Sequence, residues 1–188
     1  MDEYDFPEPR VAFFAGGCFW CTEAIFKELD GVLVVLPVYM GGHVPNPTYE
    51  QVKTGETGHA EAVMVVYDAN RIGYDQLLEV FFATHDPTQL NRQGNDVGTQ
   101  YRSAIFYHGP EQKETAEAYI RFLENQKVYD RPIVTEVVPA TEYWKAEDYH
   151  KNYFRNHPEN PYCQYVILPK LKKFREEFYD WLRDKEEE

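Results

Sequence analysis

Cysteine, basic charge and long apolar runs are all scarce in this 188-residue chain. Three cysteines, an odd number, do not make a disulfide framework, so the fold has to rest on a packed core and the thiols are better suited to redox work. Lys and Arg number 19 against 32 Asp and Glu, a net charge of -13. That balance excludes an unassisted nucleic-acid or anionic-membrane binder, because both partners are themselves anionic. No apolar run approaches the ~18 residues that span a bilayer. The opening Met1-Asp2-Glu3-Tyr4-Asp5 has neither the basic nor the apolar segment of a secretion signal. A cytoplasmic protein with no membrane or nucleic-acid partner is expected. What is plentiful points the same way: 43% hydrophobic and 16% aromatic residues suit a packed globule. The length suits one domain, residues 1–188, with residues 1–9 as a loosely ordered lead-in.

Strand and helix signals interleave. Residues 11–15, 32–39, 61–67, 101–107 and 133–138 are apolar or β-branched enough for strands, with Pro37 marking an edge or a bulge. Helices are expected over 22–29, after Thr48 as a cap, over 75–84 with Asp75 as N-cap, over 110–126, over 146–156, and as a last amphipathic helix over 169–188. Cys163, after Asn160-Pro161-Tyr162, is expected in a turn. Residues 86–99 lack periodicity, and loops of that length in compact domains are usually functional. The pattern gives an α/β or α+β fold with a mixed central sheet.

The chain is organised around Gly16-Gly17-Cys18-Phe19-Trp20-Cys21. Two glycines permit a tight strand-to-helix turn, which puts Cys18 at or near a helix N-terminus. The dipole there favours an anion, so a depressed thiol pKa is expected. Cys18 and Cys21 form a Cys-x-x-Cys pair, readable as a redox dithiol, half a zinc site or chance. Zinc fits poorly, since Cys163 stands alone and the six histidines are scattered. Phe19 and Trp20 are either core residues or an aromatic corner for a methyl or thioether group. Glu61, between a glycine-bearing loop and an apolar strand, is either a solvated strand start or, if buried, a proton donor at neutral pH. The polar loop lacks EF-hand spacing, and Asn91, Asn95 and Asp96 suit an Asx-turn network. Tyr49 and Tyr101 are two of fifteen tyrosines, so composition does not single them out.

Five ordered blocks resemble one family. They are GGCFWC at 16–21, GGHVPNPTYEQV at 41–52, TGHAEAV at 57–63, HDPTQLNRQGNDVGTQYRSAIFY at 85–107 and AEDYHKNYF at 146–154. Together with Cys163 they resemble the peptide methionine sulfoxide reductases of the A type, which act on the S epimer. The resemblance implies an α+β fold, a two-layer α/β sandwich with a mixed central sheet and a ferredoxin-like core. It implies Cys18 as the nucleophile that becomes a sulfenic acid, Phe19 and Trp20 as the holders of the substrate methyl, and Glu61 as the acid that protonates the sulfoxide oxygen. Tyr49 and Tyr101 match two phenols that hydrogen-bond that oxygen, and Asp96 a carboxylate that orders the site through loop backbone and water. Glu23 matches no catalytic position and is read as helix-forming. The family pattern is broken at Cys21, where glycine is usual, and at Lys53, where some members carry a further cysteine. The glycine-rich, cysteine-bearing tail of many members is replaced by a charged helix. Cys163 matches a resolving position, with Cys21 as the alternative. The resemblance further implies no bound cofactor or metal, thioredoxin (or a dithiol such as DTT) as reductant, oxidised peptides and proteins as substrates, and a monomer. A general dithiol oxidoreductase, a methionine-binding protein and a zinc module remain as rivals, none of which needs Glu61, Tyr49 and Tyr101 together.

Overall fold

The computed structural model describes residues 7–185. The expected lead-in lies outside the described residues as far as position 6, and the chain enters its first strand at Pro9. The end of the expected last helix, 186–188, is likewise outside them.

Strand β1 (Pro9–Gly16) leads into α1 (Phe19–Phe26), β2 (Val32–Met40), the short α2 (Tyr49–Lys53), β3 (Ala60–Asp68) and α3 (Tyr74–Ala83). A two-residue hairpin, β4 (Arg92–Gln93) and β5 (Asp96–Val97), precedes β6 (Ser103–Tyr107), α4 (Pro110–Asn125), β7 (Glu136–Pro139) and β8 (Tyr143–Lys145). Two further helices follow, the four-residue α5 (Tyr153–Asn156) and α6 (Leu168–Glu177). The main sheet runs β7-β6-β1-β3-β2-β8, antiparallel throughout except for the parallel β6–β7 pair. Within it, β1-α1-β2-β3-α3-β6 is a βαββαβ chain with spatial order β6-β1-β3-β2, which is the split-βαβ, ferredoxin-like arrangement. The expected α+β class with a mixed sheet holds.

The two-residue period of the strands sorts the core. Ala12, Phe14, Val35, Tyr39, Val63, Val65 and Ile105 face the helices and pack with Phe26, Leu77, Phe81 and Phe174. Their alternates Phe13, Ala15, Val38, Met40, Ala62 and Phe106 build a smaller cluster on the other face. Because β3 is central and buried on both faces, Glu61 near its start is carried into the interior (1% exposed).

Several sequence expectations shift. Helix α1 starts three residues early, because Cys18 itself is extended (φ -63°, ψ 126°) and serves as the N-cap. Helix α3 is capped by Gly73, whose N–H donates to Gln76 Oε1 at 2.9 Å, so Asp75 lies inside the first turn. Tyr101 closes a 3₁₀ turn, Thr99–Tyr101, ahead of the strand. The expected helix over 146–156 is broken: a 3₁₀ turn, Asp148–His150, is separated from α5 by Asn152, whose φ of +53° is left-handed and incompatible with helix continuation. Cys163 is not in a turn but opens a π-helical segment, Cys163–Ile167, that runs into α6. That last helix stops at Glu177, and a 3₁₀ turn, Tyr179–Trp181, follows. As expected, Thr48 caps α2, its Oγ1 accepting from Gln51 N–H at 3.2 Å.

Candidate active site

The site gathers at the N-terminus of α1. Gly17 turns the chain there with φ +91°, and a Cβ would come within 2.8 Å of Gln93 Cγ. Cys18 is thereby placed at the cap, 8% exposed, with its carbonyl accepting from Cys21 N–H at 3.1 Å and its sulfur facing the Trp20 N–H. The sequence-based expectation of a depressed thiol pKa is overturned. Burial pushes the Cys18 thiol well up, the adjacent Glu61 carboxylate adds to it, and the Trp20 N–H at the helix end offsets only part. Desolvation exceeds the helix-terminal contribution, which is worth only ~1 kcal/mol.

Glu61 is reached from β3. Its Oε1 accepts the Phe19 N–H at 3.2 Å, while the buried Oε2 has no partner among the described residues. Burial raises its pKa to about 8, with the Phe19 N–H and Lys53 pulling down and Asp96 pushing up. At neutral pH Glu61 is a carboxylic acid with one oxygen free, and Cys18 is a thiol. Tyr49 opens α2, and Tyr101 ends the 3₁₀ turn. Burial lifts both phenol pKa values, and the negative potential of Glu61 and Cys18 raises them further, so both stay O–H donors near those two groups.

An aromatic cluster forms the adjoining wall. Phe19 is fully buried against Tyr39 and His150, with ring centroids 5.7 and 5.0 Å away. Trp20 is half-buried, stacked on Tyr153 at 3.7 Å and 7°, with Tyr162 edge-on at 6.0 Å. Its Nε1–H donates to Nδ1 of the buried His150 at 2.9 Å. That bond requires a neutral imidazole, and burial lowers the His150 pKa to about 4. Asp96 sits on β5 and accepts the Tyr162 hydroxyl at 2.7 Å, so it joins this wall through a side chain rather than through loop backbone. Cys21 and Cys163 are free, buried thiols, as is Cys18. Burial raises the pKa of both. Lys170 lies beside Cys21, and each of Cys18 and Cys163 is near enough to Cys21 to feel its charge.

The structure thus brings Cys18, Phe19, Trp20, Tyr49, Glu61, Asp96 and Tyr101 to one place. Reading the residues did not single out the supports. Glu147 accepts from Tyr39 Oη and from the Tyr49 N–H, each at 3.0 Å, and so fixes the start of α2. Glu23, expected to be merely helix-forming, is buried close to the backbone of Asn152 and Tyr153, with Lys27 Nζ 3.6 Å from its Oε2, and so lies under the segment that carries Tyr153. The density of Tyr and His in 149–154 was the available signal. Among the described residues no group of His, Cys, Asp and Glu is arranged to hold a metal ion, and no helix is long and apolar enough to cross a membrane.

A family model described as peptide methionine sulfoxide reductase matches residues 10–182. A Thermus thermophilus protein named peptide methionine sulfoxide reductase MsrA is 57% identical over 174 residues, 93% of this chain and 98% of its own. Methionine sulfoxide reductase A of Corynebacterium diphtheriae superposes with a TM-score of 0.73 at 39% identity, over 84% of this chain and 79% of its own. Reduced Mxr1 from Saccharomyces cerevisiae gives a TM-score of 0.78 at 31% identity, over 83% and 90% of the two chains, and the yeast protein has also been crystallised in complex with Trx2.

Proposed function

The chain belongs to the peptide methionine sulfoxide reductase family, the A type of this oxidoreductase, and on that premise we propose that it reduces methionine-S-sulfoxide, free and in proteins, with Cys18 as nucleophile and Glu61 as the acid. The reading is carried by one observation: a buried carboxylic acid with a free oxygen, Glu61, lies beside the capping thiol of α1. The sulfoxide methyl packs against Trp20, with Phe19 beneath it, and the oxygen accepts from Tyr49 and Tyr101. Cys18 attacks the sulfoxide sulfur as Glu61 delivers its proton to the oxygen, the S–O bond breaks with the oxygen leaving as water, and water then attacks Cys18 Sγ and displaces the thioether. The thiol proton leaves in the first water and Glu61 recovers one from the second, so the sequence is proton-neutral: thiol plus sulfoxide becomes Cys18 sulfenic acid plus thioether. A site whose acid and thiol are both neutral suits an uncharged, dipolar substrate, and the phenols meet the oxygen where negative charge gathers.

A second thiol then attacks the Cys18 sulfur and displaces water, leaving a disulfide for thioredoxin or DTT to reduce. Cys163 is the favoured resolver on its motif and Cys21 the alternative. No bound cofactor or metal enters these steps. The single-domain, monomeric, cytoplasmic description of the whole chain belongs to the same proposal.

The test is a single turnover without reductant. Wild type is expected to form about one methionine per enzyme from dabsyl-methionine-S-sulfoxide and none from the R epimer, and Cys18→Ser to form none. Glu61→Gln is expected to slow the step by ~10²–10⁴. Unchanged turnover in Glu61→Gln would remove the acid role. Disulfide reduction without sulfoxide turnover would make this a dithiol oxidoreductase.

A further inference from the structure

Strand β2 has a free edge. On its outer side β8 pairs only with Val38–Met40, and Ala146 N–H donates to Pro37 O at 3.1 Å. Val32 to Leu36 pair with no strand but β3, with a bulge between Val32 and Val34; the Arg183 guanidinium donates to the Val32 and Leu29 carbonyls, so the open stretch is Leu33 to Leu36. Leu33 and Val34 are 49% and 43% exposed there. Beside them runs a groove of about 550 Å³ whose charged lining is Lys27, Lys151, Arg155 and Arg183 against a single carboxylate, Asp184. Lys27 also contacts Asn152 and Glu23, Lys151 pairs with Asp148 at 3.2 Å, and Arg155 has no ion pair among the described residues. Four cations on one apolar edge run against the balance of a chain of net charge -13.

The groove is joined to the active site twice. Its wall from Lys151 to Arg155 continues the segment whose His150 and Tyr153 hold Trp20. Helix α1 spans the gap, with Cys18 as its N-cap and Lys27 as its C-cap. Eight helical residues rise ~12 Å, the length of about four residues of extended chain.

We propose that this edge docks the substrate polypeptide: an extended, acidic segment adds to β2 as a strand, which presents a methionine sulfoxide about four residues away to Cys18. Backbone pairing supplies sequence-tolerant affinity, as in strand addition generally, and the cations select for acidic flanks. This deepens the proposed reductase function and rests on it. Lysines and bulges are also what edge strands use to repel other chains, so the test has to separate recognition from protection.

Initial rates are compared for two N-blocked methionine-S-sulfoxide peptides, one with three acidic residues centred four positions from the sulfoxide and one with lysines there. Each is made with the charges on either side, and free methionine-S-sulfoxide is the reference. The acidic peptide is expected to have a KM about tenfold lower when the charges lie on one side. The gap is expected to shrink between 20 mM and 500 mM salt, as exposed charge pairs are screened. In the double variant K151E/R155E it is expected to close or reverse, with turnover of free methionine sulfoxide unchanged. Net charge alone predicts the opposite preference, so equal KM values, a preference for lysine, or an acidic preference that survives K151E/R155E would each overturn the proposal. Failure of wild type to reduce even the free sulfoxide would instead overturn the reductase reading.

Discussion

Glu61 is the proposed acid of this site, and its burial has opposite consequences for the proposed activity and for stability. Folded Glu61 keeps its proton up to about pH 8, whereas in the unfolded chain it is released near its ordinary value of 4.5. Between those values the folded state binds more protons, so this residue makes stability fall as pH rises. Glu61→Gln is therefore expected to be more stable than wild type above pH 8, by up to several kcal/mol and with a higher melting temperature, the difference vanishing near pH 4. Thermal melts of both proteins from pH 4 to 9 check this. The kcat/KM of wild type for free sulfoxide is expected to fall tenfold per pH unit above about pH 8, as the acid is lost. At rest Cys18 is a buried thiol, so alkylation by iodoacetamide at pH 7 is expected to be slower than for a free cysteine.

Local geometry at the ends of elements decides whether Cys18 and its partners meet. Gly17 holds φ +91° with Gln93 against it, and Gln93 in turn pins Asp86 through its N–H and C=O. Gly17→Ala is expected to cost about 1–3 kcal/mol and to lower kcat more than it raises KM, because it moves the cap of α1. Thermal melts and steady-state kinetics on the one variant measure both effects. The π-helical turn Cys163–Ile167 places Cys163 in the core against α1. Peptide mapping after one turnover is expected to find a Cys18–Cys163 bridge; a Cys18–Cys21 bridge would transfer resolution to α1 and keep the rest. The element boundaries that sequence misplaced share a cause. Gly73 and Cys18 are caps made by bonds to residues three positions on, Gln76 and Cys21, and Asn152 turns left-handed, none of which hydrophobic periodicity reports.

Across the whole molecule, two histidines, the half-buried His85 and the buried His150, govern behaviour in acid. His85 bonds the Phe81 carbonyl and Ser103 Oγ, at 2.6 and 2.8 Å, and His150 accepts from Trp20. Burial lowers the pKa of each to about 4, from an ordinary 6.5. As pH falls from 6.5 to 4, the unfolded chain takes up protons that the folded chain refuses, so stability present above pH 6.5 is lost across that window, up to about 3 kcal/mol per histidine. In a Glu61→Gln background, which removes the opposing slope of that carboxyl, urea midpoints at pH 7.5, 5.5 and 4.5 are expected to fall in that order, and His85→Gln to flatten part of the slope.

The sequence by itself determined the class of fold, because strand and helix periods are local and alternate through the chain. It also singled out the residues proposed to carry the chemistry, because GGCFWC and TGHAEAV are contiguous blocks that resemble those of the family. The support for those residues comes from contacts far apart in sequence: Tyr162 on Asp96, His150 on Trp20, and Glu147 on both Tyr39 and Tyr49. Only the tertiary structure decided the protonation of the site. Sequence placed Cys18 at a helix N-terminus and so implied a thiolate. The fold puts that end under protein, beside a buried carboxyl, where desolvation outweighs the dipole. A side chain's charge depends on the medium around it, and that medium is assembled from strands 40 and more residues apart.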